Sequence, residues 1–242
     1  MGNLIIALDM SDKKQAFSLI DLFKNFKSHD RASHKKEVWF KVGMELFYSS
    51  GGELLHELHE KGCKIFLDLK LHDIPQTVYK TMKTLAQFPF HMVNVHALGG
   101  HEMMKRATEA IKEHPLSPNL IAVTQLTSTN QSQMTHELHI KGNLIDSVLH
   151  LAKLAQSTGC HGVVCSPHEV KEIKTKLGKQ FITVCPGIRP LSHQETRDDQ
   201  KRFMTPQEAK TQGTNFMVIG RPITQSSDPL KTYQEILLSM ED

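Results

Sequence analysis

Three charged side chains stand close together in the segment Asp68-Leu69-Lys70-Leu71-His72-Asp73, directly after the apolar run Lys64–Leu67. Side chains on a strand alternate between its two faces, so Asp68 and Lys70 are expected to point in the same direction. A neighbouring carboxylate favours the charged form of a lysine and holds its ammonium group in place. The same carboxylate can set negative charge beside the charge of a substrate. The segment is therefore a candidate reaction centre.

Two simpler interpretations of this segment remain open. The tetrapeptide Asp73-Ile74-Pro75-Gln76 has the residues of a helix N-cap, with Gln76 at the position of a capping-box partner. Asp68 and Lys70 can also form a buried ion pair with no catalytic role. Against that interpretation, two inward charges at the end of a strand are costly to desolvate unless they serve a purpose.

Two further charged residues stand at the ends of predicted strands. Asp9 follows the first apolar run of the chain, and Lys41 lies near the end of the second. Each is a weak signal alone, because a strand-terminal aspartate often only forms a turn. In a barrel of parallel strands both would lie beside the third strand. The four side chains would then alternate in charge in the order Asp9, Lys41, Asp68 and Lys70.

An anion-binding end is predicted where the seventh and eighth apolar runs stop. The eighth run ends in Gly220-Arg221, and the seventh is followed by Gly187 and Arg189. Glycine lets a backbone approach a ligand closely, and arginine offers a planar fork of donors to a phosphate group. Barrels of alternating strands and helices frequently bind phosphate at these two loops. The alternative is that each arginine is an ordinary surface charge.

The elements that must position these residues are eight short runs, each apolar almost throughout, as expected for strands buried on both faces. The predicted strands are Leu4–Leu8, Val38–Val42, Lys64–Leu67, Met92–Val95, Leu120–Leu126, Gly162–Cys165, Phe181–Val184 and Phe216–Ile219. Apolar residues at helical spacing fill the gaps between most of them.

Helix start signals support the same rhythm. Ser166-Pro167-His168-Glu169 and Thr205-Pro206-Gln207-Glu208 are predicted capping boxes, and Asp228-Pro229 is a predicted cap followed by proline. Strands alternating with helices over 242 residues predict an α/β fold, a (β/α)8 TIM barrel in a single domain, residues 1–242. The polar stretch Lys27–Lys36 is predicted to be a solvated loop within it. A doubly wound open sheet is the main alternative.

Composition excludes several classes of protein. No apolar run reaches the roughly 18 residues of a membrane-spanning helix, and the net charge of +3 does not call for a nucleic-acid partner. Neither nucleotide-binding glycine fingerprint is present. No signal peptide is expected, because the N-terminus lacks a basic region. The four cysteines form no CxxC pair and are predicted to be buried reduced thiols. The histidines scatter without a convincing metal-ligand spacing.

Taken in order, these segments resemble the orotidine 5′-phosphate decarboxylase family from Leu4 to Thr224. The D-x-K-x-x-D pattern alone is shared with related sugar-phosphate barrel enzymes, but its combination with the other motifs is specific. The resemblance is carried by Ala7-Leu8-Asp9, Phe40-Lys41-Val42-Gly43, Leu67–Thr77, Val123–Ser128, Gly162–Ser166, Pro186-Gly187-Ile188-Arg189-Pro190 and Val218–Thr224.

The resemblance implies a (β/α)8 barrel that needs neither cofactor nor metal and decarboxylates orotidine 5′-phosphate to UMP, the last step of de novo UMP synthesis. It implies that Lys70 is the general acid that protonates C6 of the pyrimidine and that Asp68 lies near the departing carboxylate. Lys41 and Asp9 would hold ribose hydroxyl groups and complete the charged array. Thr127 would meet the polar edge of the pyrimidine.

The same resemblance implies a homodimer with composite active sites, in which Asp73 reaches the partner's site with Ile74 and Thr77 beside it. It also implies a set of residues that hold the phosphate group. These residues are Arg221, the Gly220 backbone, Gln200 and, at the same end, Arg189. A cytoplasmic location follows from the expected role and from the absence of targeting signals.

Two other functions remain as alternatives. A metal-dependent sugar-phosphate decarboxylase or synthase would share D-x-K-x-x-D but needs Mg²⁺ beside the carboxylates. Lys41, Gly187-Ile188-Arg189 and Gln200 argue against it. A non-catalytic barrel that binds phosphate or nucleotide is disfavoured because Lys70 and its aspartate partners are all present.

Overall fold

Eight parallel strands close into a barrel, in chain order from β1 to β8. The computed structural model describes residues 3–23, 38–190 and 203–240; the predicted loop Lys27–Lys36 lies outside them. The strands are β1 Asn3–Leu8, β2 Trp39–Gly43, β3 Lys64–Leu71, β4 Met92–His96, β5 Asn119–Val123, β6 Gly162–Val164, β7 Ile182–Cys185 and β8 Phe216–Ile219. The barrel prediction is confirmed, and the open-sheet alternative is wrong because β1 pairs with β8.

Helices follow the strands and cover the outside of the barrel. Within the described ranges they are α1 Lys13–Leu22, α2 Met44–Ser50, α3 Glu53–Glu60, α4 Pro75–Leu85, α5 Gly100–Ile111, α6 Leu144–Ser157, α7 Val170–Leu177, α8 Pro206–Thr211, α9 Arg221–Thr224 and α10 Pro229–Ser239. Short 3₁₀ turns, Ala97–Gly99 and Pro167–Glu169, precede α5 and α7. In the described part of the chain, no helix is long and apolar enough to cross a membrane.

The predicted helix starts are confirmed at three places. The backbone N–H of Ser166 donates to the Glu169 carboxylate at 2.8 Å. Thr205 and Glu208 form a reciprocal capping box, and Asp228 accepts a hydrogen bond from the N–H of Lys231 at 3.0 Å. Each side chain satisfies a backbone group that the first helical turn leaves without a partner.

The capping prediction at the start of α4 is wrong. The N-cap is Ile74, and its side chain cannot accept a hydrogen bond. Asp73 accepts instead from the adjacent N–H of Ile74, at 2.7 Å. Gln76 accepts from the Arg106 guanidinium on α5 at 3.1 Å and so does not complete a capping box.

Apolar side chains form one layer outside the strands and another inside the barrel. On β3, Ile65 and Leu67 pack outward in the cluster beneath the helices, whereas Phe66 packs inward. The inner cluster consists of Ile5, Ala7, Phe66, Met92, Ile121, Val184, Phe216 and Val218. Burial on both faces explains why the strands are apolar almost throughout. The inner cluster fills the barrel interior up to the site, where its members Ala7, Phe66, Val184 and Val218 line a cavity.

The N-terminal end of the barrel has a repeated polar contact. The residue immediately before β4, β6 and β8 accepts a hydrogen bond from the backbone N–H of the second residue of the preceding strand. The three contacts are His91 Nδ1 with Ile65 at 3.2 Å, His161 Nδ1 with Leu120 at 3.0 Å and Asn215 Oδ1 with Thr183 at 2.9 Å. This contact satisfies a backbone N–H and links the two strands of each pair at their N-terminal ends.

Candidate active site

A cavity of about 260 Å³ opens at the C-terminal end of the barrel. This is the end at which barrel enzymes place their chemistry, because the loops that follow the strands meet there. The polar residues that line the cavity include Asp9, Lys41, Asp68, Lys70, Gln125 and Thr127. The four predicted strand-end charges therefore come together in one site.

The four charges form a continuous array. Lys41 Nζ lies 2.7 Å from Asp9 Oδ1 and 3.3 Å from Asp68 Oδ2. Lys70 Nζ lies 2.7 Å from Asp68 Oδ1. The Asp68 carboxylate thus sits between two ammonium groups, and the charges alternate in the order that the sequence predicts.

Two members of the array, Lys41 and Asp68, are buried, and their neighbours keep both of them charged. Burial acts to lower the pKa of Lys41, but Asp68 and Asp9 outweigh it, so the pKa of Lys41 is raised. Burial acts to raise the pKa of Asp68, but Lys41, Lys70 and hydrogen bonds from Lys70 and Asn94 outweigh it, so the pKa of Asp68 is lowered. Both groups are therefore ionised at neutral pH.

A β-bulge shapes β3 at the array. Leu67 pairs with Val93 and Leu71 with Val95, so the three residues 68–70 of β3 face a single residue of β4. That residue is Asn94, whose side chain is fully buried. Lys70 has a φ of +51°, in the left-handed region that non-glycine residues rarely adopt. The lysine at the centre of the site therefore stands on a strained backbone.

Asn94 bridges the bulge with both ends of its carboxamide. Its Oδ1 accepts a hydrogen bond from the backbone N–H of Lys70 at 2.7 Å. Its Nδ2 donates to Asp68 Oδ1 at 2.6 Å. Sequence reasoning gave this residue no role, although one signal was available: Asn94 is a polar residue on the same face of an apolar strand as Met92.

Two glycines leave room beside the array. A Cβ atom at Gly43 would lie 3.2 Å from Lys41 Nζ and 3.6 Å from Asp9 Oδ1. A Cβ atom at Gly220 would lie 3.5 Å from Asp9 Oδ2 and 3.4 Å from the Cβ of Ala7. Side chains at these positions would crowd the charged groups or narrow the cavity between them.

The predicted anion-binding end contains two arginines whose guanidinium groups repel each other electrostatically. Burial and the neighbouring Arg221 guanidinium lower the pKa of Arg189 below its ordinary value. The backbone N–H of Arg189 donates to the backbone carbonyl of Met204 at 3.0 Å, which holds the main chain in place at this residue. Arg221 begins α9 directly after Gly220, which lines the cavity. The predicted phosphate ligand Gln200 lies outside the described residues.

Three predicted site residues lie outside the cavity of their own chain. Asp73, Ile74 and Thr77 follow β3, and all three are exposed. None of them lines the cavity. Asp73 is thus not beside Lys70, although it stands only three positions further along the chain.

Histidine and cysteine side chains, which are common metal ligands, make contacts within the fold instead. His96 stacks on His72 with ring centroids 5.4 Å apart. Burial, followed by the nearby His72 and Lys70, lowers the pKa of His96 to about 4. In the part of the chain that the structure describes, no three His, Cys, Asp or Glu side chains are grouped to hold a metal ion. The four cysteines are free and buried, as predicted.

Sequence reasoning also missed Gln125, which is buried and lines the cavity. Its Nε2 donates to Ser147 Oγ on α6 at 3.0 Å. The signal was the same as for Asn94. Gln125 continues the inward-facing positions Ile121 and Val123 of β5, but the predicted strand Leu120–Leu126 treated it as part of an apolar run.

The fold and the site together define a barrel enzyme with an alternating charged array in its cavity, and Gly220, which lines that cavity, is followed directly by Arg221. The family described as orotidine 5′-phosphate decarboxylase / HUMPS matches residues 2–236 of the chain. The chain therefore belongs to this family.

Individual proteins agree with the family assignment. A Staphylococcus aureus protein named orotidine 5′-phosphate decarboxylase is 46% identical over 232 residues, which is 96% of this chain and 95% of that protein. The crystal structure of orotidine 5′-phosphate decarboxylase from Lactobacillus acidophilus matches with a TM-score of 0.83, 38% identity and full coverage of both chains. An uncharacterized conserved protein from Geobacillus kaustophilus matches with a TM-score of 0.82 and 37% identity, over 98% of this chain and 99% of that one.

Proposed function

We propose that this chain is a cytoplasmic orotidine 5′-phosphate decarboxylase, which converts orotidine 5′-phosphate to UMP and CO2 in the last step of de novo UMP synthesis. It would act as a single barrel domain, residues 1–242, without cofactor or metal. The observation that carries the proposal is the position of the Asp68 carboxylate, 2.7 Å from Lys70 Nζ and 3.3 Å from Lys41 Nζ in the cavity. Membership of the family and the names of the relatives support the same substrate.

The proposed reaction breaks the bond between C6 of the pyrimidine and its carboxylate carbon. The bonding electron pair stays on C6, CO2 departs, and Lys70 Nζ delivers a proton to C6 to give UMP. Solvent then reprotonates the lysine. The anion at C6 has little delocalisation and no cofactor accepts its electrons, so preorganised charge must lower the barrier. An ammonium group already held at that position needs little reorganisation as the charge develops.

Asp68 and Lys41 would have supporting roles. Asp68 would stand near the substrate carboxylate, which leaves as neutral CO2, so repulsion between the two carboxylates is relieved as the bond breaks. Asp68 also fixes Lys70 through their ion pair at 2.7 Å. Lys41 and Asp9 would bind the ribose hydroxyl groups, since both line the cavity, where Lys41 can donate and Asp9 can accept a hydrogen bond.

The remaining substrate groups would be recognised around the cavity. Thr127 would bind the polar edge of the pyrimidine. The phosphate group would lie against Arg221 and the Gly220 backbone, with Gln200 and Arg189 at the same end. A dianion there offsets the repulsion between the two guanidinium groups. Because the phosphate is remote from the bond that breaks, its binding energy can be used to position the ring.

The active enzyme would be a homodimer in which Asp73 and Thr77 reach the site of the partner subunit, with Ile74 beside them. Their exposure outside the cavity of their own chain supports this assignment. So does a set of exposed apolar side chains that directly follow β2, β3 and β4. These side chains are Met44, Tyr48, Ile74 and Leu98, of which Ile74 is 68% exposed and Tyr48 71%. Exposed apolar side chains at the ends of neighbouring strands would be covered by a second subunit in such a dimer.

The test is an ultraviolet assay that follows loss of orotidine 5′-phosphate absorbance with and without EDTA. We expect turnover at the same rate in both conditions. Activity that EDTA abolishes would instead favour the metal-dependent sugar-phosphate alternative. Tight binding of UMP by folded protein that does not consume the substrate would favour the non-catalytic alternative.

A further inference from the structure

The orientation of the Asn94 carboxamide is fixed by its two neighbours. The side chain is fully buried on β4, with an acceptor facing the Lys70 N–H at 2.7 Å and a donor facing Asp68 Oδ1 at 2.6 Å. Turning the amide over would set its oxygen against the carboxylate and its NH2 group against the N–H. Both contacts would then be repulsive, so only one orientation satisfies the site.

The two groups that Asn94 contacts are the two at the centre of the proposed reaction. The Lys70 side chain is held by its ion pair with Asp68, and the Lys70 backbone is left-handed, with a φ of +51°. Such a backbone persists only where the surroundings over-determine it. Asn94 lies opposite the bulge. It binds the first residue of the bulge through the Asp68 side chain and the last residue through the Lys70 backbone.

We propose that Asn94 is a positioning residue for this site, which aims the Lys70 ammonium by holding the Lys70 backbone and the Asp68 carboxylate at once. The inference rests on the proposed function, because the rate of decarboxylation is its readout. Asn94 touches neither the reacting bond nor the cavity surface. It acts through its two neighbours, so its loss should lower kcat far more than it raises KM.

The first variant is Asn94→Ala, with Asn215→Ala as its matched control. Asn215 is also an asparagine that accepts a backbone N–H at a barrel strand, at 2.9 Å from Thr183, but at the opposite end. A misplacement of about 1 Å can reduce a rate about 100-fold. We expect a fall of that order in kcat for Asn94→Ala with KM within about 3-fold of the wild type. Asn215→Ala should keep the wild-type kcat at temperatures where it is folded.

The second variant, Asn94→Asp, distinguishes positioning from simple filling of the core. A protonated aspartic acid has the hydrogen-bonding pattern of the amide: its carbonyl accepts from Lys70 N–H and its hydroxyl donates to Asp68. When ionised, it loses the donor and places a second carboxylate against Asp68. The titratable groups around it are Asp68 and Lys70 on β3, Lys41 on β2 and His96 on β4 itself.

The activity of Asn94→Asp relative to the wild type should therefore depend on pH. Burial and the adjacent carboxylate raise the pKa of an introduced acid, so we expect the ratio of the two kcat values to rise about 10-fold from about pH 8 to about pH 6. Asp68 and Lys41 do not change charge in this range, since their pKa values are shifted away from it. A structural role alone does not produce this rescue.

The outcomes separate the two proposals. No turnover by the folded wild type overturns the decarboxylase function itself. Wild-type turnover together with an unchanged kcat in Asn94→Ala, or a loss confined to KM, overturns the role of Asn94. If Asn94→Ala does not fold, Asn94→Asp decides the matter: a kcat ratio that stays flat with pH contradicts positioning, and a ratio that rises as the pH falls supports it.

Discussion

The two ends of the barrel use polar residues in opposite ways. At the N-terminal end, His91, His161 and Asn215 each accept one backbone N–H, and this satisfies the strand that donates it. At the C-terminal end, Asp68 and Lys70 form a charged group on a bulged strand with a left-handed residue. The contacts at the N-terminal end stabilise the fold, whereas the C-terminal end contains charged groups and a strained backbone.

The apolar cluster between the two ends explains how they coexist. Phe66 and Met92 fill the barrel interior below the array. On β4, Asn94 stands two residues beyond Met92, on the same face, so one step along a strand leads from the inner cluster to the site. A closed, well-packed sheet can therefore carry a strained and charged end, because the cost is met by contacts elsewhere in the barrel.

A large effect on substrate binding is expected at the C-terminal end. Arg221→Ala removes a planar donor from the phosphate site and should raise KM about 100-fold, since hydrogen bonds to charged groups are strong. Steady-state kinetics with orotidine 5′-phosphate provide the measurement. An unchanged KM would place the phosphate site elsewhere.

At the N-terminal end, the corresponding effect is on stability. Asn215→Ala leaves the Thr183 N–H without this acceptor and also removes a contact of the Lys174 ammonium. We expect the free energy of unfolding to fall by about 2 kcal/mol, as is typical when a buried donor loses its partner. Urea denaturation followed by circular dichroism measures it. A loss of kcat in the folded variant would show that the two ends are not independent.

The smallest effect concerns the strain at Lys70. Lys70→Ala and Lys70→Gly both remove the ammonium group, but only glycine adopts a φ of +51° without steric cost. The glycine variant should therefore be more stable than the alanine variant by about 1 kcal/mol. Thermal unfolding of the pair makes the comparison. If alanine is equally stable, the backbone at this position is not strained.

Most of the barrel could be predicted because burial on both faces leaves a plain sequence signal. All eight predicted strands form, but two of them end more than one residue away from the predicted position. β5 stops at Val123 rather than Leu126, and Gln125 beyond its end lines the cavity. β3 continues through Leu71, because the bulge and Asn94 extend its pairing with β4.

The charged residues of the site could be predicted from the sequence, but the residue that positions them, Asn94, could not. Asp9, Lys41, Asp68 and Lys70 stand at strand ends, where charged residues are conspicuous. The role of Asn94 depends on two hydrogen bonds to residues that lie 24 and 26 positions away in the chain. The register shift that brings them together is a property of the folded sheet. No local pattern encodes it.

The most direct test of the account is the turnover of orotidine 5′-phosphate by Lys70→Ala beside Lys61→Ala. Lys61 also forms an ion pair with an aspartate, Asp21, at 2.6 Å, but this pair lies outside the cavity. A general acid contributes up to about 10⁴-fold to a rate, and Lys70 would also stabilise the carbanion. We predict that folded Lys70→Ala loses at least about 10⁴-fold in kcat, whereas Lys61→Ala keeps the wild-type rate. A Lys70→Ala enzyme with near wild-type kcat would contradict the account.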